Sequence, residues 1–268
     1  MKLPFLHAAP ERTLRKPAPT VMPTLERSNV AALYRAARFG GDFFDFKAVQ
    51  RHLVFVMMDI AGRRDEALDI AAAAQETFHE EAGKLFGDCC VNEPEALSLL
   101  TVAVNRQIME TAEGVRCAPA FVGCYDEAIG TLFYVNAGHT PALLKDEDGV
   151  TLLEANGLPF GLFTHATHDG QPCVLRPGAA VLLASKGLIE SRHGGKQEFG
   201  LERLKESVAN ARFKNATELC SGVLTAVQQF TKDKPGQNDI TTLALMRCEA
   251  RAETRPEAAV GAGAAGLP

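Results

Sequence analysis

Four short stretches bring together residue types that could do chemistry. In "FGGDFFDF" (Phe39–Phe46) a glycine pair permits a tight backbone turn, and Asp42 emerges from it among aromatic residues. In "MMDIAGRRDEA" (Met57–Ala67) Asp59 closes an apolar run, and Gly62 stands just before a helical pattern. In "GQNDITTLAL" (Gly236–Leu245) Asn238 and Asp239 precede another apolar run. In "VLLASKGLIESR" (Val181–Arg192) a buried-strand pattern stops at Ser185-Lys186-Gly187, where a cation is an odd choice unless an anion lies nearby.

A carboxylate at the mouth of a buried strand costs free energy unless it is hydrogen-bonded, caps a helix or holds a cation. Each stretch therefore has a plain structural reading beside the chemical one. Asp42 could be the cap of an Asx turn, and Asp59 the N-cap of the following helix. Asn238-Asp239 could belong to a hairpin turn. The chemical reading is that these carboxylates are hard oxygen donors for an ion such as Mg²⁺ or Mn²⁺. His139, in the polar turn "NAGHTP", reads as a structural histidine rather than a ligand.

The elements that must position these residues belong to an ordinary soluble chain. Its 268 residues are 46% hydrophobic and 23% charged, enough to bury a sizeable core. A net charge of −5 supplies no basic face for nucleic acid, and no apolar run reaches membrane-spanning length. The start, "MKLPFLHAAPER", is too short and too interrupted for a signal peptide, so a cytoplasmic protein is expected. The seven cysteines show no paired metal-ligand spacing and read as reduced thiols, with nothing near Cys89-Cys90 to mark a low-pKa thiolate.

The sequence divides into a proline-rich, disordered tail over residues 1–30, one domain over 31–248, and an Ala/Gly/Pro-rich disordered tail over 249–268. Within the domain, "HLVFVMMDI" (His52–Ile60) predicts a strand buried on both faces. Helices are predicted over Asp65–Gly83 and Glu95–Thr111, the second with Pro94 in its first turn. Short strands follow over Phe121–Tyr125, Thr131–Asn136, Ala142–Leu144, Val150–Leu153 and Ala180–Ala184. Two further helices, Gly200–Ala211 and Thr217–Thr231, precede a closing strand, Ile240–Arg247. This order predicts an α+β sandwich with sheets inside and helices outside.

In sequence order, "GGDFFDF", "DIAG", "YVNAGHTPALL", "GLPFGLF", "LRPGAAVLLASKGLIESR", "EFGLERL" and "NDITTLAL" resemble the bacterial stage II sporulation E-like (RsbU-type) phosphatases, within the PP2C (PPM) class of metal-dependent serine/threonine phosphatases. The resemblance spans roughly Tyr34 to Arg247. It implies two antiparallel sheets packed face to face between helices. It also implies paired Mn²⁺ or Mg²⁺ ions that hold and acidify the water attacking a phosphoserine or phosphothreonine. The partner it implies is a phosphorylated regulatory protein resembling an anti-sigma-factor antagonist, in a bacterial partner-switching pathway.

Carried over position by position, Asp42 and Asp59 match the family's first two acidic ligands, and Ile60 would lend its backbone carbonyl. The chain then departs from the pattern. Lys186 stands where the family has the aspartate of Thr-Asp-Gly, and Asn238 where it has the first aspartate of Asp-Asp-Ile-Thr. Arg64 replaces a glycine of the turn after Asp59. Two bare carboxylates about 4 Å apart repel by roughly 4 kcal/mol at an effective dielectric of 20, and a lysine between them would relieve this without acting as a Lewis acid. Such an ammonium could take the place of the second ion, if Lys186 lies within salt-bridge reach of Asp42 or Asp59 rather than swung to solvent. Asp239 is a possible substitute ligand, although strand alternation aims it away. At most one ion is expected, and with it a weakly active or inactive pseudophosphatase serving as a binding module. The alternative is a working metal-dependent phosphatase.

Overall fold

The run His52–Asp59 organises the architecture because both of its faces are covered. Val54, Val56 and Met58 point into one apolar cluster, while Leu53, Phe55 and Met57 point into another. This is why the segment shows no polar alternation. The computed structural model describes residues 15–37, 41–194, 197–232 and 238–248; residues 1–14 and 249–268, expected as tails, lie outside these.

In chain order the first elements are β1 (Ser28–Arg35), β2 (Asp42–Val49), β3 (His52–Asp59), α1 (Arg64–Leu85) and α2 (Glu93–Thr111). A meander follows: β4 (Ala120–Asp126), β5 (Thr131–Ala137), β6 (Ala142–Asp146), β7 (Gly149–Leu153), β8 (Gln171–Val174) and β9 (Ala180–Ala184). The chain closes with α3 (Lys186–Ile189), β10 (Arg192–His193), β11 (Gln197–Glu198), α4 (Gly200–Asn210), α5 (Ala216–Thr231) and β12 (Ile240–Arg247).

Two five-stranded antiparallel sheets result, ordered β2-β3-β4-β5-β8 and β1-β12-β9-β6-β7, with β10 and β11 paired separately. Three apolar layers hold the stack. Phe55, Met57 and Phe121 meet Val181, Leu183, Leu243 and Leu245 between the sheets. Phe78, Leu97, Leu100 and Val104 seal the helices α1 and α2 against the first sheet. Leu204, Val208, Leu219 and Val223 seal α4 and α5 against the second. This is the predicted α+β sandwich of two sheets flanked by helices. Pro94 lies in the first turn of α2, where Asn92 caps by accepting the Glu95 N–H at 3.4 Å.

The structure departs from the sequence reading at the N-terminal side. Residues 15–30 are not a free tail. Arg15 pairs with Asp69 at 3.3 Å and Glu76 at 3.0 Å. Ala18 exchanges two hydrogen bonds with the Gln75 side chain, and Thr20 donates to the Phe44 carbonyl. The prolines here deprive the segment of hydrogen bonds of its own, and side chains of α1 supply them instead. β1 then pairs with β12 along its whole length, from Ser28–Arg247 to Arg35–Ile240. β2 went unread because its glycine pair and aromatics look like a turn; β8 is a short edge strand that tolerates Pro172.

Candidate metal-binding cleft

Asp42 is the first residue of β2 and Asp59 the last of β3, and the antiparallel register sets them directly opposite each other. Ile60 N–H donates to the Gly41 carbonyl at 3.0 Å, which pins this strand end. Position 41 must be glycine because a Cβ there would lie 2.0 Å from the Ile60 carbonyl oxygen. The second sheet makes a matching contact. A Cβ on Gly187 would lie 2.0 Å from the Asp239 carbonyl oxygen, so α3 seats directly on the start of β12. A cleft of about 210 Å³ opens between the two strand ends, lined by Asp42, Asp59, Ile60, Lys186, Glu190, Asn238 and Asp239, among others.

The sheets are stitched together at the cleft floor. Thr241, fully buried on β12, donates its hydroxyl to Asp42 Oδ2 at 2.6 Å. The Ser185 hydroxyl accepts the Thr241 N–H at 3.0 Å and also bonds the Asp42 carboxylate. Asp42 is thus bonded to β12 across the cleft floor, while residues 38–40 of its own turn lie outside the described residues. Nor does Asp59 cap α1, whose N-cap position is Arg63 with no side-chain bond. Burial pushes the Asp42 carboxyl up to about 7; the Thr241 and Ser185 hydroxyls pull it back, and the Asp59 and Asp239 charges push it up. Burial raises Asp59 too, opposed by Lys186 and reinforced by Asp239 and Glu190.

Lys186 does not reach between the two aspartates. Its ammonium lies 3.5 Å from Glu190 Oε1, one helical turn on, and its side chain is 64% exposed. An exposed lysine loses less hydration and rotamer freedom this way than by entering the cleft. The lining also holds more acid than Asp42 and Asp59 alone. Four carboxylates, Asp42, Asp59, Glu190 and Asp239, against one ammonium give a formal charge of −3.

Asp239 is tied to the end of β1: its Oδ2 accepts the Tyr34 hydroxyl at 2.7 Å and its Oδ1 the Ala37 N–H at 2.7 Å. Arg64 belongs to the same junction, donating to the Ala37 carbonyl at 3.2 Å. Burial and Asp239 together push the Tyr34 hydroxyl up to about 12. Asn238 is exposed on the cleft wall and offers only a neutral amide oxygen.

The donor set at Asp42 and Asp59 suits a hard divalent cation. Asp42 and Asp59 are hard oxygen donors on facing strand ends, and burial makes their negative charges costly until a cation compensates them. The second sheet's side of the cleft presents Lys186, Glu190, Asn238 and Asp239. Among the described residues, the three metal-competent side chains that do lie within mutual ligand distance are His52, Glu93 and Asp126. They sit at the other end of β3. Arg51 already occupies that group, 2.7 Å from Asp126 and 3.6 Å from Glu93, making it an ionic clasp between α2 and the β3–β4 edge. Sequence reasoning missed this clasp, as well as Tyr34, Ser185, Thr241 and the role of Glu190. Thr241 of "NDIT" and Ser185 of "SKG" carried a signal, by their places at strand ends. His139 is 5% exposed; its Nδ1 faces the Thr140 carbonyl at 3.1 Å, and burial lowers it to about 4.

A model of the stage II sporulation protein E (SpoIIE) family matches residues 50–247. Protein IcfG of Synechocystis sp. is 24% identical over 250 residues, covering 85% of this chain but 39% of that protein, so the chain spans well under half of that relative. Among solved structures, the RsbU and RsbW domains of a Mycobacterium tuberculosis protein align with a TM-score of 0.66 and 28% identity, over 82% of this chain and 60% of that one. The catalytic domain of the serine/threonine protein phosphatase PstP, in complex with two manganese ions, aligns with a TM-score of 0.60 and 14% identity, over 83% of this chain and 99% of that one.

Proposed function

The chain belongs to the stage II sporulation protein E family of PP2C-type phosphatase domains, and from that premise we propose that it is a pseudophosphatase, weakly active or inactive, that works as a regulatory binding module. The observation that carries this reading is the pair Lys186 and Asn238 on the wall opposite Asp42 and Asp59, with both oxygens of the neighbouring Asp239 already bonded. Asp42, Asp59 and the Ile60 carbonyl would hold a single Mn²⁺ or Mg²⁺. Such an ion would supply Lewis acidity to a bound water. Thr241 and Ser185 would orient Asp42 toward it, and the ammonium opposite supplies charge but no open coordination position.

The partner we propose is a phosphorylated regulatory protein of the anti-sigma-factor-antagonist kind, in the cytoplasm of a bacterium. The likeness to a structure that joins RsbU and RsbW domains supports a partner-switching setting. Hydrolysis of para-nitrophenyl phosphate and of a phosphopeptide with Mn²⁺ tests the reading. Wild type should turn over no faster than Asp59→Asn, and Lys186→Asp with Asn238→Asp should recover activity. Robust wild-type turnover that Asp59→Asn abolishes would establish the second reading, a working phosphatase. The formal −3 of the cleft lining favours that alternative, because it attracts divalent ions in spite of Lys186.

A further inference from the structure

We propose that Glu190 is a positioning residue: it tethers the Lys186 ammonium away from Asp42 and Asp59, and so keeps the cleft open to one divalent cation. The inference deepens the one-ion reading above and rests on it. Lys186 opens the single turn of α3 and Glu190, four residues on, is its C-cap residue; both line the cleft with Asp42 and Asp59. The ammonium lies 3.5 Å from Glu190 Oε1, with side-chain exposures of 64% and 36%, and no ion pair joins it to either aspartate among the described residues. Its charge nevertheless reaches Asp59, where it opposes the effect of burial. A four-carbon stem on the cleft wall has two anionic destinations, the glutamate one turn away and the buried carboxylate pair.

The tether is weak by construction. Lysine N-terminal to glutamate at this spacing is the less favourable orientation on a helix, and the pair is half in solvent. The balance between the two positions of the ammonium is therefore close, and removing the glutamate carboxylate tips it inward. An ammonium turned into the cleft competes with a divalent ion twice over. It neutralises the carboxylates that would bind the ion, and it repels the ion directly.

The experiment is a double-mutant cycle on Mn²⁺ binding to the full chain, followed by titration calorimetry and by the paramagnetic resonance signal of free Mn²⁺. The variants are Lys186→Gln, Glu190→Gln and the double substitution, with Asp59→Asn to identify the site. Wild type should bind one Mn²⁺ that Asp59→Asn abolishes. Lys186→Gln should tighten binding by about tenfold. Glu190→Gln should weaken wild-type binding several-fold, yet change affinity by less than about twofold once Lys186 is glutamine. An equal loss in both backgrounds makes Glu190 a ligand or a bulk charge and overturns the tether, as does no loss in either. Absence of Mn²⁺ binding in wild type and in Lys186→Gln overturns the one-ion reading and the tether together, so the two failures are distinguishable.

Discussion

Replacing Asp239 by asparagine separates a ligand from a clamp. The carboxylate is 3% exposed and accepts two bonds, from the Tyr34 hydroxyl and the Ala37 N–H, each at 2.7 Å. An amide of the same shape keeps one acceptor and turns an NH₂ group toward the other donor. The change loses one hydrogen bond to a charged group, worth about 1.5–3 kcal/mol, and strands a donor at about 1–3 kcal/mol. The lower desolvation cost of the neutral amide offsets part of this. The net expectation for Asp239→Asn is about 2–4 kcal/mol lost from the metal-free protein, read from urea unfolding in the presence of a chelator. Mn²⁺ affinity should fall only modestly, since one charge leaves the lining while no ligand is removed. A loss of stability below about 1 kcal/mol together with abolished Mn²⁺ binding would refute the reasoning and make Asp239 a coordinating residue.

Three further outcomes follow from the same contacts. His139 is lowered to about 4 by burial, so the unfolded chain binds its proton first; the stability it contributes is complete above about pH 6.5 and is lost as pH falls toward 4, by about 3 kcal/mol. Urea midpoints of His139→Gln should therefore depend less on pH across that window, and parallel curves would contradict the assignment. Gly41→Ala should cost at least about 2 kcal/mol, because its Cβ meets the Ile60 carbonyl, whereas Gly83→Ala in α1 meets nothing within 4 Å and should gain about 0.5–1 kcal/mol; thermal melts compare the two. Gln75→Leu should free the segment around Ala18 from α1, seen as faster tryptic cleavage after Arg15 with the core still resistant.

Much of the architecture is legible in the residues, for identifiable reasons. His52–Asp59 could be read because burial on both faces leaves an unbroken apolar run, and α2 because Pro94 and the stripe of Leu97, Leu100, Val104 and Ile108 agree. β1 could not, because it is an edge strand whose partner, β12, lies about 200 residues away in sequence, and its start adjoins the prolines. Asp42 and Asp59 were visible as acids at strand ends. Their exact opposition was not, because β2 had not been recognised and register depends on it. The direction of Lys186 was also hidden. A long exposed side chain chooses between partners by fractions of a kcal/mol, and sequence order shows Glu190 as a neighbour without showing that it shares the cleft.

The bond from Thr241 to Asp42 crosses from one sheet to the other, beside an apolar interlayer of side chains such as Phe55, Phe121, Val181 and Leu243. The cleft is therefore a gauge of how the halves of the sandwich are seated. A slip of one layer over the other by an ångström would lengthen a 2.6 Å bond past its useful range before it disturbed any strand pairing. Substitutions deep in that interlayer, far from any acidic group, should thus be felt first in the orientation of Asp42.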